Sequence, residues 1–290
     1  MSHRASDRAR SNAAALSVTG AAEAVPFTVS HIAAVLPGYR ALSRAHVFSA
    51  AVIGSMVPDF GFLLLPGSLA RWQTHSAAAL LTFCLPVGLC SYWLLQLFIK
   101  PTLLEILPDR AYLRLRMAHP SQQLWSATVW LYAAIAILLG ALTHLVWDGF
   151  THENAHGVLM FPLLDEYGPE LEGHPTRFYN WLQYGSSVVG LILIAIALLR
   201  WWQHSPKPSE PPMRVLNHSE RRFWSGLYFW LVLAMAAWPL VHIHMPPRHF
   251  NPNVRLDKIA IALLRSCALS LLLLIALIRT RLAYRRALAD

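Results

Sequence analysis

Charge is what this 290-residue chain has least of. Asp, Glu, Lys and Arg make up 13% of it while 56% is hydrophobic, against about 25% charge in a soluble domain. So little polar material cannot cover a water-soluble bundle, which excludes a soluble reading of the whole chain. Cysteine is scarce too. Cys84, Cys90 and Cys267 all sit in apolar runs, so they read as small core hydrophobes and exclude a disulfide framework or a thiolate zinc site. Residues 1–25 are polar, small and basic and lack an apolar h-region, so disorder is expected there and a cleaved signal peptide is not. No internal repeat is present.

What the chain does have is apolar length. Windows at about 77–99, 125–147, 184–202, 223–243 and 259–278 reach the roughly 20 apolar residues that a spanning helix needs. A sixth, 46–65, is interrupted by Gly54, Pro58, Asp59 and Gly61, and such a segment can be a broken or re-entrant helix where protein covers it. The expectation is an all-α integral membrane helical bundle of five to six transmembrane helices. It divides into a disordered extension (1–25), a membrane domain (26–202), a proline-rich cytoplasmic linker (203–222) and a C-terminal pair of helices (223–290).

A net charge of +9 would suit nucleic acid, but its location points elsewhere. With six spans, 17 of the 24 Lys and Arg fall on one side, in 1–45, 100–124, 203–222 and the tail after 278. The side richer in Lys and Arg is the cytoplasmic one. The excess is therefore topology information; membrane lipids are the expected partners, nucleic acid is not, and the C-terminus is expected in the cytoplasm. The longest segment on the opposite, outer side is 148–183, which is acidic and carries His152, His156 and His174.

One stretch carries chemistry. In Thr143-His144-Leu145-Val146-Trp147-Asp148-Gly149-Phe150-Thr151-His152, His144 and Asp148 are four apart and project from one helix face. An imidazole and a carboxylate at that spacing can share a divalent ion, or simply hydrogen-bond to each other. Ionisable groups at membrane depth are costly and mark functional sites. The topology count brings Asp59 and His75 to the same face. Two His and two carboxylates suit zinc or a similar divalent metal.

The residues also carry a resemblance. Phe27-Thr28-Val29-Ser30-His31, Ile53-Gly54-Ser55-Met56-Val57-Pro58-Asp59, His75-Ser76, the Thr143–His152 stretch and Leu182-Gln183-Tyr184-Gly185-Ser186-Ser187 resemble the bacterial domain of unknown function 4184 family over about 26–202. That family is made of multi-pass membrane proteins, which implies the bacterial inner membrane. More distantly, His31, Pro58-Asp59, Thr74-His75-Ser76 and His144/Asp148 are similar to inner-membrane metal-dependent hydrolases. The same order resembles the zinc-dependent phospholipase C and nuclease superfamily, which implies a phosphodiester-handling metal site. The N-terminal Trp ligand and the later His-x-x-x-Glu of that superfamily have no clear counterpart here; His152, His156 and Glu170 are the nearest candidates.

The expected metal set is therefore His31, Asp59, His75, His144, Asp148 and His152. His31 joins it only if 46–65 does not fully span, since residues 1–45 otherwise lie on the cytoplasmic face. Glu153 and Asp165 are the candidate proton relays, and Arg265 the candidate phosphate contact by bidentate hydrogen bonding. Two functions compete. One is a membrane-embedded, metal-dependent hydrolase acting at the outer face on a phosphoester, lipid-linked substrates included. The other is a non-enzymatic transporter, metal-binding protein or scaffold with a structural His/Asp cluster.

Overall fold

A computed structural model describes residues 28–64, 73–117, 126–171, 175–205, 216–242 and 252–287. The expectations for the 1–25 extension and for most of the 203–222 linker fall outside them. Among the described residues the chain is helical and without strands. Three helices are long and apolar enough to cross a membrane: α4 (Leu80–Ile106), α6 (Ala127–Thr151) and α8 (Phe178–His204). Exposed Leu131, Leu139, Leu142, Val189, Ile192 and Leu199 cover their outer faces, an arrangement that suits hydrocarbon and not water. Helix α4 contains two π turns, Leu80–Cys84 and Leu95–Ile99. Each precedes a proline (Pro86, Pro101) whose missing N–H breaks the regular ladder, which is the usual origin of such a bulge.

The segment 28–64 does not cross as one helix. A 3-10 helix, Thr28–Gly38, leads into α1 (Tyr39–Arg44); the chain turns at His46, whose φ is +59°, and returns through α2 (Phe48–Gly54). Pro58 then ends regular helix, and a short 3-10 turn (Val57–Phe60) and α3 (Gly61–Leu64) follow. The hairpin tip is fixed by the Tyr92 hydroxyl donating to the His46 carbonyl and by Gln96 donating to Ser49. Tyr92 packs edge-on against Trp130, near the start of α6, whereas Ser30 lies against Gly190 of α8 and Ser55 against His144, near the end of α6. Both ends of the hairpin thus lie at one end of the bundle and its tip at the other.

Two glycines let the hairpin seat. A Cβ on Gly54 would stand 2.3 Å from the Ile137 carbonyl oxygen, and one on Gly140 2.4 Å from that of Ala51. The backbones of α2 and α6 touch at this crossing, which is how helices associate where lipid removes the hydrophobic drive. Val47, Ala50, Ala51, Tyr92, Ala136 and Ile137 close the core around it.

Helices α5 (Asp109–Met117), α9 (His218–His242) and α10 (Pro252–Ala287) complete the fold. Leu216, Leu274 and Ile278 cluster with Ile106, Trp224 and Tyr228, so the last two helices run antiparallel, the start of α9 and the later part of α10 lying beside the end of α4. Between α6 and α8 the acidic segment folds as α7 (His156–Met160) and a 3-10 turn, Pro162–Asp165. A bridge between Tyr167 and Arg177 and the Arg177–Asp165 ion pair at 2.9 Å pin it.

Replacing Gly140 by Leu should push α2 off α6 and destabilise the protein by about 1–3 kcal/mol or more, the usual cost of overpacking. Thermal unfolding in detergent reads this; an unchanged transition would mean that the backbones do not touch there.

Candidate metal centre

Three segments deliver the four polar side chains that meet at the mouth of the hairpin. His144 and Asp148 come from the last two turns of α6, Asp59 from the proline-terminated turn after α2, and His75 from the residues leading into α4. Asp59 is 1% exposed, His144 0% and Asp148 5%. The four groups meet through one atom each. Asp59 Oδ1 lies 3.2 Å from His75 Nε2 and 3.5 Å from His144 Nε2; Asp148 Oδ2 lies 3.6 Å and 3.3 Å from the same two nitrogens. A tetrahedral ion with bonds of 2.0–2.2 Å has ligand–ligand edges of about 3.3–3.6 Å. The four His–Asp separations fall close to that range, and all four donor atoms lie within 4.8 Å of one another.

The remaining nitrogens orient the rings. His144 Nδ1 donates to the Ser55 carbonyl at 2.8 Å, so in the neutral imidazole Nε2 is the bare lone pair facing the cluster. His75 Nδ1 pairs with Thr74 Oγ1 at 2.8 Å and leaves its Nε2 inward. This is the hydrogen-bond support that metal-ligating histidines carry. Five buried atoms here have no hydrogen-bond partner: His31 Nδ1, Asp59 Oδ2, His144 Nε2 and both carboxylate oxygens of Asp148. Only Arg221 Nε shares that condition among the described residues. At about 1–3 kcal/mol each, five orphans rival the stability of a whole domain. A cation held by the four donors would satisfy two of them, His144 Nε2 and Asp148 Oδ2, and offset the charge of both carboxylates, so the residues present fit a divalent metal.

His31 is brought in as well, from the first arm of the hairpin. Its ring stacks on His144 at 3.9 Å, and its Nε2 is 3.5 Å from Asp148 Oδ1, the oxygen outside the four-atom set. Placing His31 on the far face is therefore wrong: because 28–64 turns back, its first arm starts where Asp59 ends. His152 is adjacent but turned away. Its Nδ1 lies 3.3 Å from the Asp148 carbonyl and 3.7 Å from Oδ1, and its Nε2 pairs with Gln183 at 3.3 Å. With both nitrogens engaged it braces the end of α6 and stands outside the four-donor group. Trp147 makes a parallel link by donating to Ser186 of α8 at 3.1 Å. Gln183 and Ser186 lie in the Leu182–Ser187 motif, to which sequence reasoning attached no role.

An open cavity of about 630 Å³ leads from the cluster. His75 and Asp148 form its floor, with Leu145, Gly149, Glu153 and His156 among its walls. Glu153 is exposed and lines this space. The other two peripheral expectations are corrected. Asp165 does not line the cavity; it is tied to Arg177. Arg265 lies outside the cavity as well, its guanidinium donating to the Phe62 carbonyl at 2.6 Å. It links α10 to α3 beside the site, the Phe62 ring being 6.2 Å from His75. His174 and Glu172 lie outside the described residues.

A bundle of apolar helices with a buried His/Asp cluster at one end defines a class of membrane-type helical protein with a potential metal centre. The chain belongs to the family described as domain of unknown function (DUF4184), whose match covers residues 25–276. The match extends well beyond 202 and takes in α9 and most of α10, which sequence motifs alone had set apart. No curated protein and no solved structure matches the chain.

Removing the brace should loosen whatever the cluster holds. Gln183→Leu is expected to lower affinity for a divalent metal 10- to 100-fold, the usual effect of losing such support, while the protein stays folded. Equilibrium competition with a chromogenic chelator measures it. Affinity equal to that of the unaltered protein would leave Gln183 without a part in the site.

Proposed function

We propose that this protein is a membrane-embedded, metal-dependent hydrolase of phosphoesters, with Asp59, His75, His144 and Asp148 holding one divalent ion, zinc by preference. The observation that carries the reading is the spacing of those four atoms, 3.2–3.6 Å along the edges that link each His to each Asp, together with the buried His144 Nε2 and Asp148 Oδ2, which have no hydrogen-bond partner. A divalent ion there would polarise a phosphoryl oxygen and lower the pKa of a water towards neutrality. Glu153, on the cavity wall, takes up the proton. His31 and His152 flank the other oxygen of Asp148, at 3.5 and 3.7 Å. The order of these residues along the chain, which resembles that of metal-dependent hydrolases, points the same way.

The topology belongs to this proposal. The hairpin enters and leaves on the cluster side, and α4, α6, α8, α9 and α10 cross, giving five spans and one re-entrant hairpin. The C-terminus then lies on the face away from the cluster. That face still carries the larger share of Lys and Arg, including Arg40 and Arg44 near the hairpin tip, so it is cytoplasmic and the site opens outward. A non-enzymatic metal carrier is the second reading, favoured by the same cluster. Against it, among the described residues no other group of three or more His, Cys, Asp or Glu could hold an ion on a path across the bundle.

Detergent-purified protein should carry one divalent metal per chain by elemental analysis. His144→Ala and Asp148→Asn should remove most of it, whereas His204→Ala and His218→Ala, at exposed positions at the other end, should not. The unaltered protein should cleave bis(p-nitrophenyl) phosphate and the Glu153→Gln variant should do so at least 10²-fold more slowly. Metal without cleavage would favour the carrier; absence of metal would end both readings. Because the ligands bind deprotonated, affinity should fall as pH drops below about 6.5. For orientation, a reporter fused after Asp290 should read cytoplasm and cysteines introduced at exposed positions in 159–170 should label from outside. The reverse pattern would turn the site inward.

A further inference from the structure

One face of α6 runs from the membrane into the cavity. Ile135, Leu139, Leu142 and Val146 are exposed, spaced 4, 3 and 4 apart, and so form a single lipid-facing stripe. The next position on that stripe is Gly149, and Val146, Gly149 and, past the end of the helix, Glu153 all line the cavity with His75 and Asp148. Gly149 contributes no side chain, so nothing on this helix walls the cavity off from the bilayer side. Opposite stands α7 with the turn that follows it. Leu159, Met160, Phe161 and Leu163 are 53–73% exposed, a contiguous apolar surface unsuited to water, and Met160 also lines the cavity. An apolar wedge beside a polar tip fits the headgroup–acyl boundary.

We infer that the cavity opens sideways into the membrane between α6 and α7, and that its ligand is an amphiphile, a phosphoester whose headgroup reaches His75 and Asp148 while its hydrocarbon chain lies along Val146 and Met160. This rests on the metal-hydrolase reading for the headgroup chemistry and on the exposed stripe for the chain. Continuity decides between a lipid and a soluble ligand: the exposed hydrocarbon-facing surface of α6 passes into the cavity wall through Val146 and Gly149, neither of which carries a polar side chain. Glu153 and the two buried carboxylates repel a free anion, so the chain's burial and the cation must together bring a phosphate to this floor.

The portal can be blocked at Gly149. A Cβ there would have only the Gly157 nitrogen nearby, at 4.0 Å, so Gly149→Leu adds a side chain at the opening without displacing backbone. The probe is a phosphatidylglycerol with a diazirine near the ester end of one acyl chain, in vesicles containing the full-length protein, with adducts mapped by mass spectrometry. Adducts are expected on the cavity-wall residues Leu145 and Phe150 as well as on Leu139 and Leu142. In Gly149→Leu those on Leu145 and Phe150 should fall at least tenfold, those on Leu139 and Leu142 should persist, and metal content should not change. Adducts confined to Leu139 and Leu142 in the unaltered protein, or cavity adducts indifferent to the Leu side chain, would overturn lateral entry. Metal content reads the hydrolase proposal separately, so loss of metal with cavity adducts intact would sink that reading and leave the portal standing.

Discussion

Two carboxylates buried around two imidazoles set the terms for the rest of this structure. Asp59 and Asp148 are almost wholly removed from solvent, and each places one oxygen within 3.6 Å of both His75 and His144. Such a group is costly in a low-dielectric interior unless a positive charge sits among it. The surroundings hold the group together, with the Ser55 carbonyl, Thr74, His31 and the His152–Gln183 pair acting on it from four directions.

The fold serves that end of the molecule. Asp59 arrives only because Pro58 ends the helix that precedes it, and α2 reaches α6 only because Gly54 and Gly140 let two backbones touch. The hairpin explains why the segment 46–65, with its proline, aspartate and two glycines, sits among apolar helices. Its broken backbone is covered by protein, which is the condition for irregular structure at membrane depth. The same return path brings His31 and Asp59, which topology counting had put on opposite faces, to a common point.

Much of the site was legible because helical spacing is rigid. His144 and Asp148 share a face by geometry alone, and the count of basic residues brought Asp59 and His75 to the same end. The apolar windows likewise announced α4, α6 and α8. The hairpin was harder to read: a 3-10 arm of small and apolar residues has no 3.6-residue stripe, and its reversal depends on His46 adopting a positive φ. Asp165 and Arg265 misled for a different reason. Charge type and depth along the chain identified them, but their partners, Arg177 and the Phe62 carbonyl, are set by how loops and helices pack and not by spacing. Gln183 was visible in a motif, yet its role appears only once α8 lies against the end of α6.

The measurement that tests the account most directly is X-ray absorption on the purified protein, at the edge of the first-row metal it carries. The account predicts a first shell of nitrogen and oxygen only, at about 2.0–2.2 Å, with the outer-shell scattering of two imidazoles, reduced to that of one in whatever metal His144→Ala retains. A shell containing sulfur, a shell without imidazole, or a spectrum unchanged by that substitution would contradict it.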